Sequence, residues 1–353
     1  MALPVRPPLA PMLAKLVREL PSGDAWTFEP KWDGFRCLAF RDGDDVDLRS
    51  RNERPFSRYF PEIAEALRRS IACDRFVADG ELMVLRDGRF DFDALMTRLH
   101  PSRTWVERHA AETPATFVAF DVIAFADRDL REIPFVDRRR CLEELFSDAE
   151  PPLHVTPISR DPAVATRWLD EFRGGGLDGV VAKADDLRYE AGKRSMLKVK
   201  TQRTADCVVA GFRFLAAKPV VSSLLLGVHG ANGRLHHVGV ASSFTAARRA
   251  ELVEELRPYA GPLDGHPWER GFGEEGGRLG RLKGTAGRWV PEMGLDWVPL
   301  RPELVCEVAY DQMEGTRFRH PSKFLRWRPD RDPASCTFDQ FDLASEPVPW
   351  PSA

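Results

Sequence analysis

The sequence has no Cys-x-x-Cys pair. Its six cysteines (Cys37, Cys73, Cys141, Cys207, Cys306 and Cys336) are scattered along 353 residues. That spacing argues against a zinc ribbon or a small disulfide scaffold and fits reduced thiols. No apolar run is long enough to cross a bilayer, and the first residues, Met1 to Pro8, lack the continuous apolar stretch of a signal peptide. No internal repeat is visible. Net charge is nearly absent too: 51 Lys and Arg against 54 Asp and Glu leave −3, so the total does not announce a nucleic-acid binder. The compositional bias of disordered or collagen-like chains is also missing, since 43% hydrophobic and 30% charged residues are ordinary globular values. At roughly 100–200 residues per domain, the length predicts two domains. The expectation is a soluble, cytoplasmic, two-domain protein that meets no membrane.

What is present has two characters along the chain. Up to about residue 203, short strand-like runs mix with amphipathic stretches. Trp26-Thr27-Phe28 alternates, and the Asp33-Gly34 turn signal puts Lys31 at the end of a strand or on the loop after it. Val46 to Ser50 alternates again. Phe76 to Val84 and Thr116 to Ile123 read as buried strands, each interrupted by an acid. Helical spacing covers Pro61 to Arg69, Arg138 to Phe146 and Pro162 to Phe172, the last stopped by Gly174-Gly175-Gly176. Without strict βαβ alternation, this pattern predicts an antiparallel-rich α+β domain over residues 1–203. Residues 204–353 are strand-rich: Cys207 to Phe214, then Leu224 to Val228 and Leu235 to Val240 flanking the hairpin signal Asn232-Gly233, and Leu304 to Tyr310. One helix is expected over Ala246 to Leu256. Nine glycines in the 27 residues from Gly261 to Gly287 predict a long mobile loop. The whole reads as a small β-barrel, with the OB-fold as leading candidate.

Several residues invite chemistry. Lys31-x-Asp33-Gly34-x-Arg36 alone is a weak signal, compatible with a surface lysine beside a turn; its apolar neighbours Trp32 and Phe35 and the second cation Arg36 strengthen it. Arg49-Ser50-Arg51-Asn52 adds two cations at the next strand end. Glu81 lies inside an apolar run, where a carboxylate is costly unless it pairs with an arginine or binds something. Phe120 suits a core position as well as a base-stacking platform. Asp178 and Lys183 bracket one strand, and Lys198 and Lys200 alternate with Leu197 and Val199, which puts both lysines on one face. Arg317 to Arg328 holds five Lys and Arg without an acid, interleaved with Phe318, Phe324 and Trp327, a mixture suited to phosphate contact and stacking.

In order, Lys-x-Asp-Gly-x-Arg, Ser-Arg-Asn, Asp-Gly-Glu, Ala-Phe-Asp, Gly-Val-Val-Ala-Lys, Leu-Lys-x-Lys and Arg-x-Arg-Pro-Asp form a ladder from about Pro11 to Asp330. It resembles the motif ladder of the ATP-dependent DNA ligases, within the covalent nucleotidyltransferases that include RNA ligases and mRNA capping enzymes. The ending, Arg317 to Asp330, is similar to that of the stand-alone bacterial ligases of the "ligase C" type. The resemblance implies a nucleotidyltransferase (adenylation) domain followed by an OB-fold domain, and a chain with no attached polymerase or nuclease.

It also implies roles. Lys31 would attack the α-phosphate of ATP to form a lysyl-AMP, with Asp33 beside it. AMP would pass to the 5′-phosphate of a nick, and the 3′-hydroxyl would displace it. A lysine whose pKa is ordinarily ~10.4 needs neighbouring positive charge or a metal to become a nucleophile, which Lys198, Lys200, Arg36 and bound Mg²⁺ would supply. Glu29 would hold the adenine, Glu81 the ribose hydroxyl, and Phe120 would stack on the base. Arg36 and Arg51 would contact ribose or phosphate, and Lys183, Lys198 and Lys200 the α-phosphate. Arg326, Arg328 and Asp330 would orient the pyrophosphate from an OB domain that swings about a hinge near Lys200–Thr204. Asp178 and Glu81 would serve the metal. Because Asp178 stands where glutamate is usual, Mn²⁺ joins Mg²⁺ as a candidate, and Arg331 replaces a common lysine. The implied partners are nicked double-stranded DNA and a repair polymerase or primase, with the chain acting as a monomer. The alternatives are an RNA ligase, less readily a capping enzyme, and a non-catalytic OB-fold protein.

Overall fold

The computed structural model describes residues 3–86, 89–171, 177–200, 203–215, 218–269, 271–272 and 297–341. The chain divides into two compact units, Met1–Thr201 and Gln202–Leu343.

In the first unit, β1 (Ala14–Val17) is followed by β2 (Trp26–Trp32), β3 (Phe35–Asp42) and β4 (Asp45–Ser50). Helix α1 (Pro61–Ser70) starts with proline in its first turn. It carries Glu62 near its N-terminus and Arg68 and Arg69 near its C-terminus, as the helix dipole favours. Ile63, Ala64, Ala66 and Leu67 form its buried stripe. Then come β5 (Arg75–Arg86), β6 (Arg89–Phe90), α2 (Phe92–Thr97), α3 (Arg103–Glu112), β7 (Ala115–Phe125), β8 (Arg128–Asp129), α4 (Phe135–Leu145), β9 (Leu153–Val155), α5 (Pro162–Glu171), β10 (Leu177–Ala184) and β11 (Met196–Val199).

Two sheets result. The smaller has the order β1-β11-β10-β2; the larger runs β4-β3-β5-β7-β8, with β6 on β5 and β9 on β7. Pairing is antiparallel except at β1–β11 and β7–β9. A core of Phe28, Trp32, Met83, Val118, Phe120 and Trp168 joins residues of both sheets and α5. A second core packs α1 and α4 on the larger sheet, around Leu67, Phe76, Phe117 and Leu142.

The second unit contains β12 (Arg203–Leu215), β13 (Lys218–His229), β14 (Leu235–Ala241), α6 (Ala246–Leu256), β15 (Val298–Tyr310), β16 (Met313–Glu314), β17 (Arg317–Phe318) and β18 (Lys323–Trp327). Its main sheet, β14-β13-β12-β15-β18, is antiparallel throughout. An isolated bridge between Ala241 and Ser322 ties the β14 edge to the residue just before β18 and draws the sheet into a barrel. An antiparallel-rich α+β unit followed by a small β-barrel is the architecture that the sequence pattern predicts.

Lys31 is the penultimate residue of β2, at the strand end expected of it. The differences have physical reasons. Lys200 falls just beyond β11, which stops at Val199. Part of the glycine-rich tract is packed rather than mobile: Trp268 is 2% exposed, with its Nε1–H donating to the Leu235 carbonyl at 2.9 Å. The remainder, residues 273–287, lies outside the described residues, as do Gly174-Gly175-Gly176 and, in the hinge near Lys200–Thr204, residues 201–202. All six cysteines are free; Cys37, Cys207, Cys306 and Cys336 are buried and Cys73 and Cys141 partly so. Among the described residues, no helix is long and apolar enough to cross a membrane.

Candidate active site

The two sheets of the first unit frame a cavity of about 200 Å³. Its lining includes Glu29, Lys31, Arg36, Arg51, Glu81, Phe120, Lys183 and Lys198. Eight residues singled out from the sequence thus converge, although 167 positions (198 − 31) separate Lys31 from Lys198. Strand pairing does this. Glu81 on β5 is the register partner of Arg36 on β3, and Val181 on β10 that of Glu29 on β2. Because side chains alternate, Lys183 is a diagonal neighbour of Glu29 on the same face.

Asp178 is delivered by a backbone irregularity. The β10–β2 register shifts between Leu177 and Val180, and Gly179 there has φ +137°, a conformation that disfavours other residues. The Asp178 carboxylate meets Lys31 Nζ at 2.7 Å and Lys200 Nζ at 2.8 Å. Burial would raise its pKa, but the two ammoniums outweigh burial and hold it below the ordinary carboxylate value. Lys198 is pushed down, by burial first and then by the charges of Lys31 and Lys200. Asp33 occupies the turn beside Lys31 and is not part of the cavity lining.

Glu81 is also buried enough to be shifted. Its Oε1 accepts the Gly34 N–H at 3.1 Å, yet desolvation pushes its carboxyl up to about 7 against the pull of Arg36 and Lys31. Arg36 forms a fork on Asp79, Nε to Oδ1 at 2.5 Å and Nη2 to Oδ2 at 2.6 Å. Its guanidinium carbon stands 4.3 Å from the Phe120 ring centroid. Burial lowers the Arg36 pKa, and Asp79 more than offsets it, so the group stays firmly charged.

Lys183 lines the cavity from a buried position. It is 1% exposed, with Nζ 3.0 Å from Glu29 Oε2 and 2.8 Å from the Phe120 carbonyl. The other Glu29 oxygen, Oε1, is buried with no hydrogen-bond partner. A buried bare acceptor in the wall of a cavity is what a nucleobase amine would satisfy, so the residues fit a purine nucleotide. Asp178 and Glu81 are the carboxylates at hand for a metal. Among the described residues no group of three or more His, Cys, Asp or Glu side chains is placed to hold an ion. These residues are compatible with a divalent ion held by one or two carboxylates together with substrate phosphates.

Arg326, Arg328 and Asp330 belong to the second unit. Arg326 pairs with Glu307 at 2.6 Å, and Arg328 bridges Asp206 at 3.0 Å and Asp330 at 2.9 Å. The Arg328 hydrogen bond lowers the Asp330 carboxyl to about 2.

The sequence reading finds Arg36 but not the residues that hold it. Asp79 is fully buried and also accepts the Tyr189 hydroxyl at 2.6 Å, and that hydroxyl accepts the Met12 N–H at 3.2 Å. Nor does it find Arg138, whose fork on Asp121 at 2.8 and 2.9 Å supports β7 next to Phe120. The acids interrupting both apolar strands were the signal; their partners lie 43 and 17 positions away.

Comparison with known proteins decides the family. The ATP dependent DNA ligase domain matches residues 11–200, and the ATP dependent DNA ligase C terminal region matches 217–331. The chain belongs to the ATP-dependent DNA ligases. This ligase is 49% identical to DNA ligase C2 of Mycolicibacterium smegmatis over 97% of its own length and 96% of the relative's. It is 48% identical to DNA ligase C of Mycobacterium tuberculosis, with the same coverage of both chains. A solved structure from a study of Lig E DNA ligases covers 90% of this ligase and 99% of that chain at 16% identity, with a TM-score of 0.56, a likeness of fold.

Proposed function

We propose that this ligase seals 5′-phosphate/3′-hydroxyl nicks in duplex DNA through a lysyl-AMP on Lys31. The observation that carries the reading is the cavity itself. One amine, Lys31 Nζ, lies among Arg36, Arg51 and Lys198, beside a stacking ring and a bare buried acceptor. Nζ would attack the α-phosphorus of ATP, forming a P–N bond as the bond to pyrophosphate breaks. The 5′-phosphate of the nick would then take the AMP from the lysine. The 3′-hydroxyl would finally attack that phosphate and release AMP.

Catalysis of phosphoryl transfer is positioning and charge neutralisation, and the residues divide accordingly. Arg36, held by Asp79 above Phe120, would fix the ribose, with Glu81 accepting a sugar hydroxyl and Phe120 stacking on the base. Lys198 and Lys200 would neutralise the α-phosphate, and Arg51 the phosphate at the mouth. Asp33 would steady the turn beside the nucleophile. Asp178 would release Lys31 and Lys200 as phosphates arrive. Mg²⁺ or Mn²⁺, when bound with the substrate, supplies further charge neutralisation at phosphate oxygens, with Asp178 and Glu81 as its protein carboxylates. Residues 1–203 and 204–353 would act as the adenylation and OB domains, the latter bringing Arg326, Arg328 and Asp330 to the pyrophosphate in the first step. The enzyme would work as a cytoplasmic monomer on repair intermediates, beside a gap-filling polymerase or primase.

Intact mass tests the first step. The protein with ATP and Mg²⁺ should gain one AMP and lose it on addition of pyrophosphate, and Lys31→Ala should gain nothing. Absence of any adduct in the parent protein, with Mn²⁺ also tried and no adduct carried through purification, would refute the proposal. Nicked DNA compared with nicked RNA then fixes the strand type.

A further inference from the structure

The second unit holds a set of donors that the nucleotide chemistry does not use. His237 on β14 is 4% exposed, and neither of its ring nitrogens has a hydrogen-bond partner. Trp268 and Phe272 flank the ring, with centroids 5.3 and 4.9 Å away. Arg213 on β12 is partly buried, and its Nε and Nη2 are likewise buried and bare. Those two nitrogens form one edge of the guanidinium, the edge that grips two oxygens of an oxyanion side by side. Arg317 on β17, the first cation of the acid-free run, is also partly buried and donates through Nη2 to the Phe272 carbonyl at 3.1 Å. The three groups feel one another. Burial, then the charges of Arg317 and Arg213, pushes the His237 imidazole down to about 3. Burial lowers both guanidiniums as well, with no carboxylate set against it at Arg213.

Elsewhere the fold answers such groups. Arg98 and Arg138, both fully buried, each face a carboxylate, Glu62 and Asp121. Among the described residues no acid answers Arg213. A desolvated donor without a partner costs free energy, and a cluster of them in a native fold calls for an ion to fill it. We propose that Arg213, His237 and Arg317 form an anion site for a phosphate group, made of residues none of which lines the nucleotide cavity. The Arg213 fork takes two oxygens, His237 donates one ring N–H to a third, and Arg317 adds charge. Three oxygens bound from different sides fit a tetrahedral phosphate better than a planar carboxylate. Inorganic phosphate and a phosphate of a DNA strand offer the same oxygens.

Thermal denaturation of the whole protein in inorganic phosphate, against chloride at equal ionic strength, tests the site in the parent, Arg213→Met and His237→Phe. Phosphate should raise the parent's Tm by about 2–5 °C more than that of either variant, the size expected from filling one site. In chloride, Arg213→Met should melt no lower than the parent, because it removes a desolvated charge that nothing in the unliganded protein answers. His237→Phe keeps a ring among the aromatics, so its loss of response reports the donor and not the packing. Phosphate also stabilises proteins generally, by exclusion from their surface, so an equal rise in the parent and either variant overturns the proposal. An Arg213→Met protein that melts well below the parent, or does not fold, overturns it too, since that guanidinium would then be satisfied without a ligand. Neither thermal result depends on the ligase reading. The salt dependence of binding to nicked duplex DNA then separates the sources. A slope reduced by about 1 in Arg213→Met assigns the site to a strand phosphate. An unchanged slope beside a lost thermal response assigns it to the small anion.

Discussion

Burial pushes the Glu81 carboxyl up to about 7, although Arg36, Lys31 and the Gly34 N–H all favour its charged form. The folded protein thus holds this proton more tightly than the unfolded chain. The stabilising contribution is complete below the unfolded value and is lost as pH rises through the folded one. Stability should fall between about pH 5 and pH 8 by on the order of 2 kcal/mol from this group. Denaturant titrations across that range should show the fall, and Glu81→Gln should flatten it. Tyr189 makes a second case, since its hydroxyl joins Asp79 to the Met12 amide inside the unit. Tyr189→Phe leaves the Met12 N–H without that acceptor and should cost about 1–3 kcal/mol in denaturant unfolding. If Arg36 positions the ribose, the same variant should raise KM for ATP more than it lowers kcat. The motif resemblance singled out Lys31, Arg36, Glu81 and Phe120 before any fold was known, and the fold brings all four to one cavity. Ion-pair partners were not legible, because a sequence states that Asp79 is an acid but not which of 51 Lys and Arg residues faces it.

Among the elements, the irregularity in β10 has the most specific consequence. Gly179 has φ +137°, and a Cβ there would lie 2.1 Å from the Val199 carbonyl oxygen. Gly179→Ala must therefore move β10 away from β11 or straighten the bulge, and either change takes Asp178 from Lys31 and Lys200. Thermal denaturation should show a loss of about 1–3 kcal/mol, and lysyl-AMP formation should slow by more than the loss of folded protein explains. Elements with strong periodicity were readable in advance: α6 occupies Ala246–Leu256, as its pattern indicates, and Asn232-Gly233 turns between β13 and β14 with Gly233 at φ +72°. Helices α2 and α3 were not, because six residues are too few for α2 to show a helical period and α3 carries little apolar stripe; both lean on caps, Asp91 accepting the Ala94 N–H and Ser102 the Trp105 N–H. Strand β18 hid within a basic run because Lys323-Phe324-Leu325-Arg326-Trp327 reads as charge before it reads as alternation.

For the molecule as a whole, the proposed division of labour predicts a separation of steps. Arg328 in the second unit is paired to Asp206 and Asp330. If that unit serves pyrophosphate in the first step, Arg328→Ala should slow lysyl-AMP formation at least about 10-fold, the size of one lost charged contact. Sealing of a nick that already carries AMP should change far less. Quench-flow assays of the two steps separate these outcomes, and equal losses in both would refute the division. The cysteines carry a different implication. Four of the six are buried and none is exposed. Burial raises the thiols of Cys37, Cys141, Cys207, Cys306 and Cys336, which keeps them from the thiolate form that oxidants attack. Breaks in DNA accumulate when peroxide does, so strand joining by this ligase should survive a peroxide exposure that silences enzymes with exposed thiolates, as a sealing assay before and after treatment would show.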